Sequence, residues 1–334
     1  MKKTIPANPK SMIHILVLTT LIFLSAISNA QQNWAIAIHG GAGVMSRERM
    51  SPERQQEYTR HLDRALAIGD SILRAGGSAT DAVVLVVAYL EDCPLFNAGK
   101  GAVFTSQGTI ELDASIMEGK SRNAGAIAGV TDIRNPIKAV RLVMDKSEHV
   151  MLSGKGASAF AREQGLDMVK NRYFFTDERY ESLKQLQKRE RQRSQQDKHG
   201  TVGCVALDLQ GNLCAGTSTG GMMNKKYGRI GDSPVIGAGT WADNQTCAVS
   251  CTGHGEYFIR LTVARDVAAH MEYKGMDLAG AGNAVLDKLT AMGGTGGFIA
   301  IDRNGNIAMP FNTSGMFRGF SRSDGDKEIA IFAE

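Results

Sequence analysis

The chain has 334 residues, 43% hydrophobic and 22% charged, which suits a globular protein with a sizeable core and excludes a collagenous, low-complexity or charge-dominated disordered polymer. Three of its 38 Lys and Arg, but none of its 34 Asp and Glu, fall in the first 30 residues. The remainder is therefore close to neutral and carries no electrostatic footprint for nucleic acid or an anionic membrane.

Residues 1–30 read as a secretory signal. Lys2, Lys3 and Lys10 supply a basic start, 12–27 an apolar run, and Ser28-Asn29-Ala30 a small-x-small cleavage site before Gln31. The apolar run is shorter than the ~20 residues of a membrane span and is interrupted by His14, Thr19 and Thr20. The expectation is a protein of the bacterial periplasm, with no membrane segment once mature. No linker divides 31–334, which reads as one domain.

A strand over 34–38 runs into a glycine turn at 39–43, where His39 is expected to hydrogen-bond locally. Apolar spacing through Leu62, Ala65, Leu66 and Leu73 predicts a helix over about 52–75. Ser78 and Asp81 open the next helix as a capping box; it is apolar nearly all round to about 91 and is predicted to lie buried between layers. Strands follow at 101–105, 109–117 and 123–130, then helices near 135–146 and 155–165. The tract 173–200 grows steadily more polar and reads as a mobile, exposed tail, with Tyr180, Leu183 and Leu186 supporting at most a turn or two of helix.

Strands at 202–208, 213–219 and 245–251 precede helices at 256–273 and 277–292, and strands at 296–302, 306–310 and 329–333 close the chain. Each half supplies a sheet with helices against one face. Joining the two through their sheets gives an α+β fold, a four-layer αββα sandwich. Five cysteines (Cys93, Cys204, Cys214, Cys247, Cys251) read as small buried hydrophobes. Cys204 should lie nearer Thr217 than Cys214 across the 209–212 turn, and no CxxC, HExxH or His/Cys cluster suggests a transition metal.

Chemistry gathers at Gly200-Thr201, where a charged tract gives way to an apolar strand. A cut between them would give Thr201 a free amine beside its own hydroxyl. Such an amine titrates near ~8, so part of it is neutral at physiological pH and can take the hydroxyl proton. Downstream, 217–221 (TSTGG) ends a strand in hydroxyls and glycine, Arg229 and Asp232 form an opposite-charge pair three residues apart, and 250–256 (SCTGHGE) runs from a strand into a helix start.

With HGGAG (39–43), CPLFNAGKGAVF (93–104), ELDASIM (111–117), GTVG (200–203) and GRIGDSP (228–234), these runs occur in one order across nearly the whole chain. In that order they resemble the plant-type asparaginase/isoaspartyl peptidase family of N-terminal-nucleophile hydrolases. The resemblance implies self-cleavage into an α chain, 31–200, and a β chain, 201–334. It makes Thr201 the nucleophile and Thr219 the residue that hydrogen-bonds it. Arg229 would grip the substrate's α-carboxylate and Asp232 its ammonium, with the Gly255 carbonyl nearby. Thr252 and the Gly253 N–H would form the oxyanion hole, and Asn97 would lie near the substrate. His254 matches no functional position. The implied substrates are isoaspartyl dipeptides and L-asparagine.

The resemblance also implies a sodium ion on the main-chain carbonyls of Leu90, Glu91, Cys93, Phe96, Ala98 and Lys100, no organic cofactor, and a dimer of αβ heterodimers. The alternatives are a glycosylasparaginase-like hydrolase, whose nucleophile usually follows aspartate rather than glycine, and an uncleaved periplasmic binding protein.

Overall fold

The computed structural model describes residues 33–190 and 200–333, so the leader assigned to 1–30 and the segment 191–199 lie outside the described residues. Two sheets organise the chain. The larger has eight strands in the order β12-β11-β1-β5-β6-β2-β3-β4. In chain order these are β1 (Ala35–Gly43), β2 (Leu112–Glu118), β3 (Ala124–Val130), β4 (Met151–Ser153), β5 (Val202–Leu207), β6 (Leu213–Thr219), β11 (Gly315–Arg322) and β12 (Lys327–Phe332). The smaller runs β10-β9-β8-β7, from β7 (Thr240–Ala242), β8 (Cys247–Gly253), β9 (Gly296–Asp302) and β10 (Ile307–Ala308).

The expectation of one sheet per half is thus corrected. Four strands of the second half, β5, β6, β11 and β12, join the first-half sheet, and β5 lies between β1 and β6. A one-directional apolar pattern marks a strand but not its neighbours, which is why β11, masked by glycines and arginines, and the short β4 and β7 escaped prediction.

Side-chain alternation sorts the core. Ile36 and Ile38 face helices α1 (Pro52–Arg74) and α2 (Ala79–Asp92), packing with Leu62, Leu66, Val83 and Val86. Ala35, Ala37, Val205, Leu207 and Ala215 point the other way, onto Ala248, Ile299 and Ile301 of the smaller sheet. The outer face of that sheet, with Val249, Cys251 and Phe298, covers Val263 and Val267 of α7 (Val263–Lys274) and Leu278, Val285 and Leu289 of α8 (Leu278–Ala291). Helices α3 (Pro136–Lys146) and α4 (Gly154–Glu163) complete the first-half side.

Several expectations change in detail. Helix α2 buries one broad face rather than its whole girth, since Leu85 is 47% exposed. The predicted strand at 101–105 is instead a short 3-10 turn, Gly99–Gly101, and a loop, because backbone pairing there is limited to a single bridge, Thr105 with Lys225. The predicted helix over 256–273 is two, α6 (Gly255–Leu261) and α7, broken where Thr262 takes a left-handed conformation. Cys204 pairs with Gly216 and so lies nearer Thr217 than Cys214, as expected, and all five cysteines are free and buried.

The tract from 173 is not an exposed tail over its described part. Helix α5 spans Asp177–Glu190 and buries Leu183, while Phe174 before it is fully buried. Arg179 donates to the carbonyls of Gly101 and Leu95. Few apolar residues suffice here because this arginine binds the helix to the loop beneath it. Among the described residues no helix is long and apolar enough to cross a membrane.

Candidate functional site

Period-two alternation explains why hydroxyls converge between the sheets. On β6, Leu213, Ala215, Thr217 and Thr219 share a face; on β8, Ala248, Ser250 and Thr252; on β2, Met117, Ser115 and Asp113. Each strand is apolar at one end of that face and polar at the other. The polar ends meet around Thr201, which directly precedes β5 and is 7% exposed.

Thr201 Oγ1 donates to Thr219 Oγ1 (3.2 Å), which donates in turn to the Gly200 carbonyl (3.1 Å) and accepts from the Gly221 N–H (2.9 Å). Asn97 Nδ2 donates to the same Gly200 carbonyl at 2.6 Å and to the Gly221 carbonyl at 2.8 Å, while its Oδ1 accepts from the Val103 N–H. The peptide carbonyl before the threonine is therefore polarised by two donors, beside a hydroxyl with a proton outlet. Gly41, with φ +113°, lets β1 pass close by: a Cβ there would lie 3.0 Å from Gly200 Cα. The expected glycine turn at 39–43 is accordingly strand, with a register shift between His39 and Gly41 rather than a reversal.

Arg229, Asp232, Gly231, Gly221 and Gly253 line a cavity with Gly200, Thr201 and Thr219. Asp232 is buried and its Oδ2 has no hydrogen-bond partner. Burial pushes this carboxyl up to about 7, against the pull of Arg229. A buried carboxyl with an unpartnered oxygen on a cavity wall has acceptor capacity to offer a cationic or hydrogen-bond-donating group. Gly255 packs against this pair: a Cβ there would stand 2.8 Å from the Arg229 guanidinium and 2.9 Å from Asp232 Oδ1, so a side chain would displace one or both. Thr252 Oγ1 accepts from the Ala42 N–H at 3.2 Å, and its own proton can serve a second partner. Thr201, Thr219, Arg229, Asp232 and Gly253 thus share one cavity, Asn97 and Gly255 touch its lining residues, and Thr252 stands directly before Gly253.

Other residues had no clear sequence signal. Glu256 holds Arg229 Nε and a terminal nitrogen at 2.9 and 2.8 Å, a bidentate pair that keeps the Glu256 carboxyl down at about 2. His254 approaches the same carboxylate at 3.2 Å. Lys225, buried near Gly221, faces Glu111 and Asp113 at 3.5 and 3.9 Å. His39, expected to bond locally, instead contacts the Thr201 carbonyl at 3.1 Å and Ser250 Oγ at 3.0 Å, across 162 and 211 residues of sequence. Adjacent glycines suggest a turn; only strand pairing shows where the imidazole reaches.

The loop from Leu90 to Lys100 is tightly packed on its own backbone. A Cβ on Gly99 would meet the Glu91 carbonyl at 2.3 Å, and one on Gly101 the Phe96 carbonyl at 2.1 Å. Leu90 and Ala98 carbonyls also accept from Cys93 and Gly101 N–H groups. No group of three or more metal-binding side chains occurs among the described residues. The Glu91 side chain turns away, accepting from Ser218 Oγ (2.7 Å) and the Ile137 N–H (2.9 Å), with burial pushing it up to about 8.

A family described as asparaginase matches residues 32–331. The chain is 50% identical to an isoaspartyl peptidase of Escherichia coli strain K12 over 308 residues, covering 90% of this chain and 96% of that one. It is 46% identical to a probable isoaspartyl peptidase/L-asparaginase 2 of Arabidopsis thaliana over 325 residues (90% and 99% covered). With an isoaspartyl peptidase/L-asparaginase of Bos taurus it shares 42% identity over 287 residues (85% and 92%).

Proposed function

The chain belongs to the asparaginase family, and from that premise we propose that Thr201 performs its chemistry twice, first on its own chain and then on substrate. The protein is a hydrolase of isoaspartyl (β-aspartyl) dipeptides and L-asparagine. The observation that carries the mechanism is the linked run from Thr201 Oγ1 through Thr219 Oγ1 to the Gly200 carbonyl, beside the cavity of Arg229 and Asp232.

In the first reaction Thr201 Oγ attacks the Gly200 carbonyl carbon. Its proton passes to Thr219 Oγ as the Thr219 proton moves onto the carbonyl oxygen, and Asn97 Nδ2 stabilises that oxygen. Collapse re-forms the C=O as that proton moves to the Thr201 nitrogen, breaks the C–N bond and leaves an ester on Oγ with a free Thr201 amine. Water then hydrolyses the ester, giving Gly200 a carboxylate. Asn97→Ala is expected to slow this cut by roughly 10²-fold, since one of two oxyanion donors is lost. The half-time for appearance of the new N-terminus measures it, and an unchanged half-time removes Asn97 from the step.

In the second reaction the free amine accepts the Oγ proton as Oγ attacks the side-chain carbonyl of an aspartyl group. Arg229 pairs with the α-carboxylate and Asp232 with the α-ammonium beside the Gly255 carbonyl. Thr252 and the Gly253 N–H face the oxyanion. The amine returns the proton to the leaving nitrogen, and water resolves the aspartyl ester to L-aspartate. Mass spectrometry of purified protein tests the pair of reactions: two fragments with Thr201 as the new terminus support it, and activity from one intact polypeptide overturns it.

We read the three core layers as a four-layer αββα sandwich of the N-terminal-nucleophile type, supported by apolar clusters on both faces of each sheet. Sodium on the carbonyls of Leu90, Glu91, Cys93, Phe96, Ala98 and Lys100 belongs to the same proposal. Main-chain carbonyl oxygens are hard donors of the kind such a cation takes, and this loop also presents Asn97. The basic-then-apolar order of residues 2–27 supports a leader cut after Ala30 and a periplasmic site of action. Family resemblance supports a dimer of αβ heterodimers, which sedimentation would test.

A further inference from the structure

Between the two sheets, behind Thr201, lies a buried run of polar side chains that the reactions above do not use. His39 Nδ1 meets the Thr201 carbonyl at 3.1 Å, and Nε2 meets Ser250 Oγ at 3.0 Å. Ser250 Oγ lies 2.6 Å from Thr217 Oγ1, which lies 2.7 Å from Thr240 Oγ1. Ser115 Oγ closes the run, 2.7 Å from Thr240 Oγ1 and 2.6 Å from the Ser233 carbonyl. All five side chains are fully buried. One end holds the residue bearing the nucleophile; the other holds the residue after Asp232, the ammonium anchor.

We propose that this chain of hydrogen bonds is a positioning device that couples the placement of Thr201 to that of the Asp232–Ser233 loop, with His39 and Ser115 as its two terminal positioning residues. The inference rests on the reading of Thr201 as nucleophile and Asp232 as anchor. Its direction follows from donor and acceptor chemistry. A carbonyl only accepts, so His39 Nδ1 carries the proton, and Nε2 of the neutral ring must accept from Ser250. Burial drives the imidazole down to about 3, which keeps it neutral. Thr217 then donates to Ser250, Thr240 to Thr217, and Ser115 to Thr240.

Neutral His39 and four hydroxyls carry five protons for six contacts, so the Ser115 proton is claimed by both Thr240 and the Ser233 carbonyl. Competing outlets exist at the carbonyls of Gly239 (3.2 Å) and Gly216 (3.3 Å), but they are longer than the hydroxyl contacts they would replace. A shared proton makes each end sensitive to the other. The chain also explains Gly203. A Cβ there would fall 2.0 Å from Ser250 Oγ and 2.3 Å from His39 Nε2, in the path of their hydrogen bond.

Two measurements on the full, processed protein test the proposal. In the first, Ser115→Ala and Ser250→Ala are combined in a double-mutant cycle on a β-aspartyl dipeptide. Each single change is expected to lower kcat/KM about tenfold, and the pair no more than the worse single change, because either break uncouples the ends. A product near hundredfold overturns the proposal. In the second, the nitrogen-15 resonance of His39 Nε2 is followed in Ser115→Ala, four hydrogen bonds away. A shifted resonance supports transmission along the chain, and an unmoved one overturns it even where Ser250→Ala does not fold. Turnover by Thr201→Ala would remove the reading of the nucleophile without altering this resonance, so the two failures are distinct.

Discussion

Thr201→Ala is expected to remain one uncut chain and to lose hydrolysis by at least ~10⁴-fold. The change removes only the hydroxyl and one methyl from a residue that is 7% exposed, so the sheet around it should stand. What disappears is the proton path into Thr219 and the atom that would attack Gly200. The second role fails with the first, because without a cut there is no amine at 201 to carry the proton of any nucleophile. Thr201→Val, which keeps the branched shape, should be equally silent and should melt near the unaltered protein. Normal fragments or residual turnover within tenfold in either variant would end the nucleophile assignment.

Asp232→Asn should produce the second largest effect, a loss of roughly 10²–10³-fold in kcat/KM carried mainly by KM, together with a gain in stability. Truncating one partner of a buried charge pair is costly for binding. The same buried carboxyl, with no partner at Oδ2, is a burden to the fold when ionised. Because burial raises its folded pKa to about 7, the folded state binds this proton more tightly than the unfolded chain. The stability linked to Asp232 is therefore complete below the ordinary carboxylate range near ~4 and declines as pH rises toward about 7. Asp232→Asn should raise the melting temperature at pH 8 and leave it unchanged at pH 4. In the unaltered protein KM should climb as pH falls through about 7, where the anchor loses its charge. Flat KM across that range, or a lower melting temperature for Asp232→Asn at pH 8, would contradict the assignment.

Asp232 and Glu256 show how one site holds acids in opposite states. Glu256 meets both edges of the Arg229 fork that face it and stays ionised far below neutrality. Asp232, three residues from Arg229 in sequence, is left without a partner on one oxygen. The first acid orients the arginine, and on the proposed reading the second takes the substrate ammonium. Such a division of labour places binding energy where the substrate head must lie.

The amino-acid sequence by itself singled out the residues proposed to carry the chemistry. Glycine before Thr201, hydroxyls at Thr217 and Thr219, and Arg229 with Asp232 are local or regularly spaced features, and strand alternation alone puts the last hydroxyls of β6 and β8 on one face. Helices α1, α2 and α8 were legible for the same reason, since their apolar period and caps lie within a few residues. The tertiary structure decided what no short window holds: that β5 and β6 enter the first-half sheet, that α5 is anchored by Arg179, and that His39 reaches Thr201 and Ser250. Those contacts join residues up to 211 positions apart. Hydrogen bonds and packing depend on distance in space, and a sequence reports distance only along the chain.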